Sequence, residues 1–239
     1  MIDLVTVAFN HPGTIREQHR LLHKYLREDF VLTVLDNSST RAGTQAISNL
    51  CTWLGVGYQR LTVDSHRHDL ALQWGCLFLR ERGAPYIGFL DHDVYPIRET
   101  RLIPLIEEGG GLWGIPQNYN GRDYLWPGLC FFSTEWLGND DLVLLSLDGD
   151  TGSGMCVLLE KRGFSPQHFN GPLGTIVPLI EERDRAVQAY ACEIFGDWLH
   201  AFNMSRWLEG QWHLRRRFVH YRKLQAKKET ALFEMLAAL

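Results

Sequence analysis

No apolar run in the sequence approaches the roughly 20 residues needed to cross a bilayer. The N-terminus, MIDLVTVAF, lacks the basic start and long apolar stretch of a signal peptide. The five cysteines (Cys51, Cys76, Cys130, Cys156 and Cys192) are odd in number, scattered and never spaced C-x-x-C. That argues against a disulfide framework and a thiolate zinc site, and predicts reduced, buried thiols. Internal repeats and low-complexity tracts are also absent. Nor is there an excess of positive charge. The 24 Lys and Arg stand against 28 Asp and Glu, a formal net charge of −4, so the chain as a whole is no polyanion binder. These absences predict a soluble, cytoplasmic protein without a nucleic-acid partner. What is present is ordinary for a globular chain: 45% hydrophobic and 22% charged residues, and 239 residues in which to bury a sizeable core.

The first hundred residues alternate between two periodicities. Short β-branched runs at 4–9, 30–35, 58–63 and 86–90 read as strands. Helical patterns separate them at 14–28, 43–54 and 66–82. This alternation predicts an α/β domain with a mostly parallel sheet flanked by helices. Ligands of such sheets bind beyond the carboxyl ends of the strands. Asn10, Asp36, Asp64 and the pair Asp91/Asp93 wait at those ends. The second half is less regular, with strands expected at 112–116, 129–133 and 176–180 and a helix at 152–162. Glycine and aromatic residues crowd 109–136 and predict a loop-built aromatic surface. A basic, amphipathic helix is expected over 213–238. The division that follows is 1–210 for the main domain (1–98 nucleotide side, 99–210 acceptor side) and 211–239 for a helical tail.

The segment YIGFLDHDVYPI, residues 86–97, carries the strongest chemical signal. A strand delivers Asp91 and Asp93 onto the turn that follows it, and alternation aims both side chains in a similar direction. Two carboxylates so close repel unless a cation sits beside them. Hard oxygen ligands favour Mg²⁺ or Mn²⁺, ions often completed by substrate phosphates. The plainer reading is a solvated turn capped by Asp91.

Five segments in order resemble the GT-A nucleotide-sugar glycosyltransferases, especially the inverting family 2 group. They are LVTVAFNHP (4–12), VLTVLDNSS (31–39), FLDHDVYPI (89–97), Asp150-Thr151-Gly152, and WLHAFNMSRW (198–207) with its W-L-H-x-x-x-x-S-x-W pattern. The resemblance spans most of residues 3–207. It implies the GT-A (Rossmann-like) fold and transfer of a sugar, from a UDP-sugar by this likeness, to an acceptor hydroxyl. It places Ala8, Phe9 and Asn10 in the nucleotide-side loop, and gives Asp36 a hydrogen bond from the base imide. Asp91 would touch the ribose or share the metal, Asp93 would ligate Mn²⁺ or Mg²⁺, and His92 lies between them on the nucleotide side. His200 would be a third ligand; otherwise it is a structural histidine. Inverting transfer needs a carboxylate to take the acceptor proton. Asp150 is the first candidate and Asp148 the second, while a plain helix cap is the alternative for Asp150.

Sugars stack their apolar faces on aromatic rings, so Tyr124 and Trp126 are candidates to line the sugar or acceptor pocket. Gly128 would let backbone approach the donor. The competing reading is that these aromatics are core. His66-Arg67-His68-Asp69 resembles a binuclear metallohydrolase motif incompletely. It is read as opening a helix that faces the phosphates, with His66 or His68 as donor or as solvated first-turn residues. Residues 213–228 hold seven Lys or Arg and no acid, which leaves −11 on the rest of the chain. Such a segment docks on the acidic body or makes a peripheral contact with the inner face of a membrane, bringing the enzyme to a glycan or lipid-linked acceptor. The rival functions are a nucleotidyltransferase, a metallohydrolase, a non-catalytic nucleotide- or glycan-binding module, and a nucleic-acid-binding protein working through its basic tail.

Overall fold

A computed structural model of the chain describes residues 1–61, 67–147, 150–164, 172, 174–178, 191–201 and 218–239. Four parallel strands form the heart of the main sheet: β1 (Ile2–Ala8), β2 (Phe30–Asp36), β3 (Gly57–Arg60) and β4 (Tyr86–Asp91). Three helices cross between them: α1 (Pro12–Tyr25), α2 (Arg41–Leu54) and α3 (His68–Arg82). Every residue of β1 is buried, because helices cover both faces of the sheet. Leu4 and Leu32 pack towards Leu22 of α1, and Val34 packs with Ile15 and Ile47 of α1 and α2. Val5, Val7 and Leu35 face Ala71, Leu72 and Leu79 of α3. Pro12 starts α1 in its first turn, and Thr14, Ile15, Gln18, Leu21 and Leu22 make its buried stripe at helical spacing. The central Asp3 is 2% exposed and accepts a hydrogen bond from Arg82 Nε at 2.5 Å. The α/β expectation, with its helix-flanked and mostly parallel sheet, is met.

The aromatic stretch expected to be loop-built is instead a hairpin of this same sheet. Strands β6 (Leu112–Tyr119) and β7 (Arg122–Ser133) extend the order to β3-β2-β1-β4-β7-β6, with β7 antiparallel to β4. The composition misled because one irregularity hides the alternation. The register jumps from Gly114↔Cys130 to Pro116↔Leu125, so Trp126, Pro127 and Gly128 bulge out of the ladder. A proline in a central strand is tolerated there because no ladder bond is asked of it.

Short strand β5 (Val94–Pro96) belongs to a second, antiparallel sheet with β8 (Gly174–Pro178), β9 (Ala191–Phe195) and β10 (Trp198–His200), ordered β5-β10-β9-β8. One face of it, carrying Phe195 and Trp198, packs against Phe131 and Leu129 of the main sheet. The other, carrying Tyr95, Cys192 and Leu199, is covered by the C-terminal helix. Helices α4 (Leu102–Glu108) and α5 (Thr134–Leu137) complete the edge. The helix expected at 152–162 is a 3₁₀ turn (Ser153–Met155) running into α6 (Cys156–Lys161).

The tail helix α7 (Phe218–Ala238) docks on the body through Leu232 and Leu236 against Leu21, Tyr95 and Leu199. Arg20 Nη2 donates to the Leu236 carbonyl at 2.5 Å and Tyr25 OH to the Leu239 carbonyl at 2.6 Å. Residues 202–217, with the basic Arg215, Arg216 and Arg217, lie outside the described residues. Among the described residues no helix is long and apolar enough to cross a membrane. All five cysteines are free and buried, and burial pushes Cys51 and Cys192 up to about 11 and Cys76 to about 12.

Candidate active site

The turn between β4 and β5 is pinned from several directions. Gln18, on the buried stripe of α1, donates from Nε2 to the carbonyls of Asp91 (2.7 Å) and Val94 (2.9 Å). His92 is buried with Nδ1 2.9 Å from the Val7 carbonyl, an arrangement that requires the proton on Nδ1. Ala201 N–H donates to the Asp93 carbonyl at 2.9 Å. A rigid backbone thus presents Asp91 and Asp93 at the carboxyl end of a central strand.

The electrostatics of the pair are dominated by histidines. His68 Nε2 lies 2.9 Å from Asp91 Oδ1. Burial opposes charge on both groups, but each outweighs it for the other: the Asp91 carboxyl sits below its usual range and the His68 imidazolium above. Asp93 is 4% exposed, and its Oδ1 lies 3.8 Å from His200 Nε2. The His200 ring packs against Trp126, with centroids 4.4 Å apart. From α7, Lys228 is buried near Asp93 and Cys192; desolvation pulls its pKa down to about 7 against the opposing pull of those two groups.

The β7 bulge forms the opposite wall. A Cβ on Gly128 would stand 2.6 Å from Asp91 Oδ2 and 2.3 Å from the Trp126 ring, so only glycine leaves that carboxylate oxygen its space. Gly152 has φ +85°, and a Cβ there would fall 2.7 Å from the Pro127 ring. The Asp150-Thr151-Gly152 turn therefore seats on the bulge. Asp150 does not cap the helix through its side chain, because the N-cap of the 3₁₀ turn is Gly152. Its carboxyl is raised by burial, with a smaller lowering from the Thr151 N–H. Asp148, Asp64 and His66 lie outside the described residues.

On the nucleotide side, Asn10 adopts φ +55° and ties two loops together. Its N–H donates to Ser38 Oγ, its Nδ2 to Ser39 Oγ, and its Oδ1 accepts from Thr40. Ala8 is fully buried, with its carbonyl taken by the Asn37 N–H, while Phe9 is half-buried. Two expectations need correction. Asp36 does not face an open base site: it is fully buried, Oδ1 accepts from Ser38 N–H, Oδ2 from Tyr58 OH, and Arg60 Nη1 lies 3.7 Å away. As the loop stands, Tyr58 and Arg60 cover that carboxylate. Tyr124 does not line a pocket; at 1% exposure it belongs to the core on the α3 side, because the alternation of β7 turns it inward. Of the metallohydrolase-like motif, His66 lies outside the described residues and Asp69 is held by Arg67 Nη2 (2.5 Å) and by Ser146 N–H (3.1 Å).

No family model matches the chain, and no curated protein does. Solved structures do. The mannosyltransferase PcManGT from Pyrobaculum calidifontis, solved with GDP-Man and Mn²⁺, is matched over 100% of this chain and 75% of its own, at 12% identity and a TM-score of 0.50. The chain has the GT-A glycosyltransferase fold. S. aureus TarS 1-349 with UDP is matched over 65% of this chain at 18% identity and a TM-score of 0.45, and the match spans only 53% of TarS 1-349. Glucosyl-3-phosphoglycerate synthase from Mycobacterium tuberculosis, with phosphoglyceric acid, is matched over 68% of this chain and 65% of its own, at 18% identity and a TM-score of 0.43.

In this GT-A chain the donor set suits a hard divalent cation only in part from protein. Among the described residues no three His, Cys, Asp or Glu side chains converge as a complete ligand cluster. Asp91 Oδ2 keeps the space that Gly128 leaves it, and His200 stands beside Asp93. That pattern fits an ion held by one or two carboxylates and completed by phosphate and water oxygens. Glu193, directly across β9 from His200, was not anticipated; its carboxyl is raised by burial, less a lowering from His200. Gln18 was also missed, although a polar residue on an apolar helical stripe was a visible signal.

Proposed function

We propose that the chain is a nucleotide-sugar glycosyltransferase that moves a hexosyl group from a UDP-sugar to an acceptor hydroxyl with inversion. The observation that carries this reading is the pair Asp91/Asp93 at the end of β4, with Gly128 leaving room beside Asp91 in a GT-A fold. The ligands named for structural neighbours support a nucleotide-sugar donor: GDP-Man with Mn²⁺, UDP, and UDP-GlcNAc. Asp91 and Asp93, with His200 beside them, would hold Mn²⁺ or Mg²⁺, which when bound neutralises charge on the departing nucleoside diphosphate. His68 orients Asp91, and Phe9 with Tyr58 and Arg60 borders the base. Trp126 offers a ring face to the sugar. Asp150, raised by burial towards a more basic carboxylate, accepts the acceptor proton as the acceptor oxygen bonds to the anomeric carbon and the anomeric carbon–phosphate oxygen bond breaks. Asp148 is the alternative base.

The acceptor class is a glycan or a lipid-linked sugar, and the setting is cytoplasmic. The docked apolar face of α7 favours a tail that serves the body over one that lies on a membrane. A metallohydrolase is disfavoured because Asp69 is committed to Arg67 and Ser146. Calorimetry of UDP binding with Mn²⁺ and with EDTA, together with release of UDP from candidate donors, tests the proposal. Equal affinity in both conditions and no donor turnover would sink it.

A further inference from the structure

Outside this cleft, α1 carries a second arrangement of metal-ligating chemistry. His19 and His23 lie one turn apart in the run HRLLH, and helical spacing sets such residues on one face. Their Nε2 atoms converge to 3.1 Å, with ring centroids 4.4 Å apart and planes at 67°. His23 is exposed, His19 is half-buried, and the His23 ring is braced by Phe30 at 4.8 Å. Burial, and secondarily His23, lowers the pKa of His19, which keeps a lone pair available at neutral pH. A metal–nitrogen bond is about 2.0–2.1 Å, so a cation bridging two nitrogens 3.1 Å apart would subtend about 95–100°, between octahedral and tetrahedral values.

We propose that His19 and His23 form a bidentate surface site for a late first-row divalent cation, Ni²⁺, Cu²⁺ or Zn²⁺, separate from the donor cleft. Two neutral imidazoles select those ions over Mg²⁺ and Mn²⁺. The same i, i+4 spacing presents two histidines to zinc in H-E-x-x-H helices. Here Arg20 stands where the glutamate would be, so the site has no general base and binds without hydrolysing. The cation replaces the contact between the two rings and lies off the line that joins their Nε2 atoms. Its coordination is completed by water. Because Gln18 is the next residue on α1 and holds the Asp91 turn, a bound ion would stiffen the helix that carries that turn.

The test is thermal unfolding of the full chain with nickel chloride, reversed by EDTA. At tenfold excess over Kd the melting temperature should rise by about 3–6 °C. The rise should survive in Asp93→Ala and vanish in both His19→Gln and His23→Gln. His23 is exposed, so His23→Gln decides the matter even where His19→Gln folds poorly. Three results overturn the site: no rise in the wild type, a rise that persists in His23→Gln, or a rise lost in Asp93→Ala. The first two leave glycosyl transfer untouched, the third would assign the cation to the donor cleft, and UDP binding with Mn²⁺ tests transfer independently.

Discussion

In residues 2–93 the strands β1, β2 and β3 are each followed by a helix, and all four strands pair in parallel. In residues 94–201 the strands pair antiparallel, and β5 joins β10, which lies about a hundred residues later. The first region, which runs through the β4–β5 turn to Asp93, supplies the floor and the carboxylates Asp91 and Asp93. The second supplies the wall, with Trp126, Gly128, Asp150 and His200. A regular scaffold thus carries an irregular rim, which is where loops bearing chemistry are expected. Changes on the rim should strike turnover, and changes at the floor should strike binding of the donor.

The largest effect tests the rim. Asp150→Asn should lower turnover by about 10²–10⁴-fold, the usual worth of a general base, while UDP affinity stays near wild type. A full loss of UDP binding would place Asp150 on the floor side and erase the division. Next comes the floor itself. Asp93→Ala should remove the strengthening of UDP binding by Mn²⁺, and EDTA should do the same to the wild type. Calorimetry reads both, and an undiminished Mn²⁺ effect in the variant would exclude Asp93 as a ligand. The seam between the regions gives a smaller change. Gly128→Ala brings a methyl group within 2.6 Å of Asp91 Oδ2 and should weaken UDP binding in Mn²⁺ by about tenfold, or about 1.4 kcal/mol. Affinity equal to wild type would show that the bulge stands clear of the donor.

The two regions also differed in how much the sequence disclosed. Strand and helix alternation was plain up to Asp91 because each element buries its own periodic face locally. The helix ends moved by a few residues: α1 stops at Tyr25, where Leu26 turns extended. The second sheet was not visible, since three-residue strands such as β5 and β10 are shorter than any period they could display. Strands expected at 112–116 and 129–133 are the outer parts of β6 and β7, but their continuation into one hairpin was masked by a bulge whose Pro and Gly read as a loop. Among site residues, Asp91 and Asp93 stood out because adjacent like charges at a strand end need a reason. Asp36 was also conspicuous, but nothing local revealed that Tyr58 and Arg60, more than twenty residues on, would enclose it. Glu193 opposite His200 depends on strand pairing that only the fold creates.

The smallest effect concerns the stitch between the regions. Asp69, at the start of α3, is 4% exposed and accepts from Ser146 N–H, which lies four residues before Asp150. Burial alone would raise its carboxyl, but the hydrogen bonds from Arg67 and Ser146 outweigh burial and lower it. A carboxyl lower in the folded chain than in the unfolded one contributes stability above its unfolded value, near 3.9. That contribution is lost as pH falls through the folded value. Asp69→Asn should therefore reduce the melting temperature at pH 7 by about 2–4 °C, corresponding to about 1 kcal/mol, the lower end for a charge-assisted hydrogen bond because Arg67 is half-exposed. Between pH 7 and pH 5 the difference from wild type should hold constant, and below about pH 4 it should shrink towards zero. Turnover should fall with it, because Ser146 lies four residues before Asp150, whereas UDP affinity should not. A stability loss that persists unchanged into acid would mean that the carboxylate's charge contributes nothing and that shape alone joins α3 to the rim.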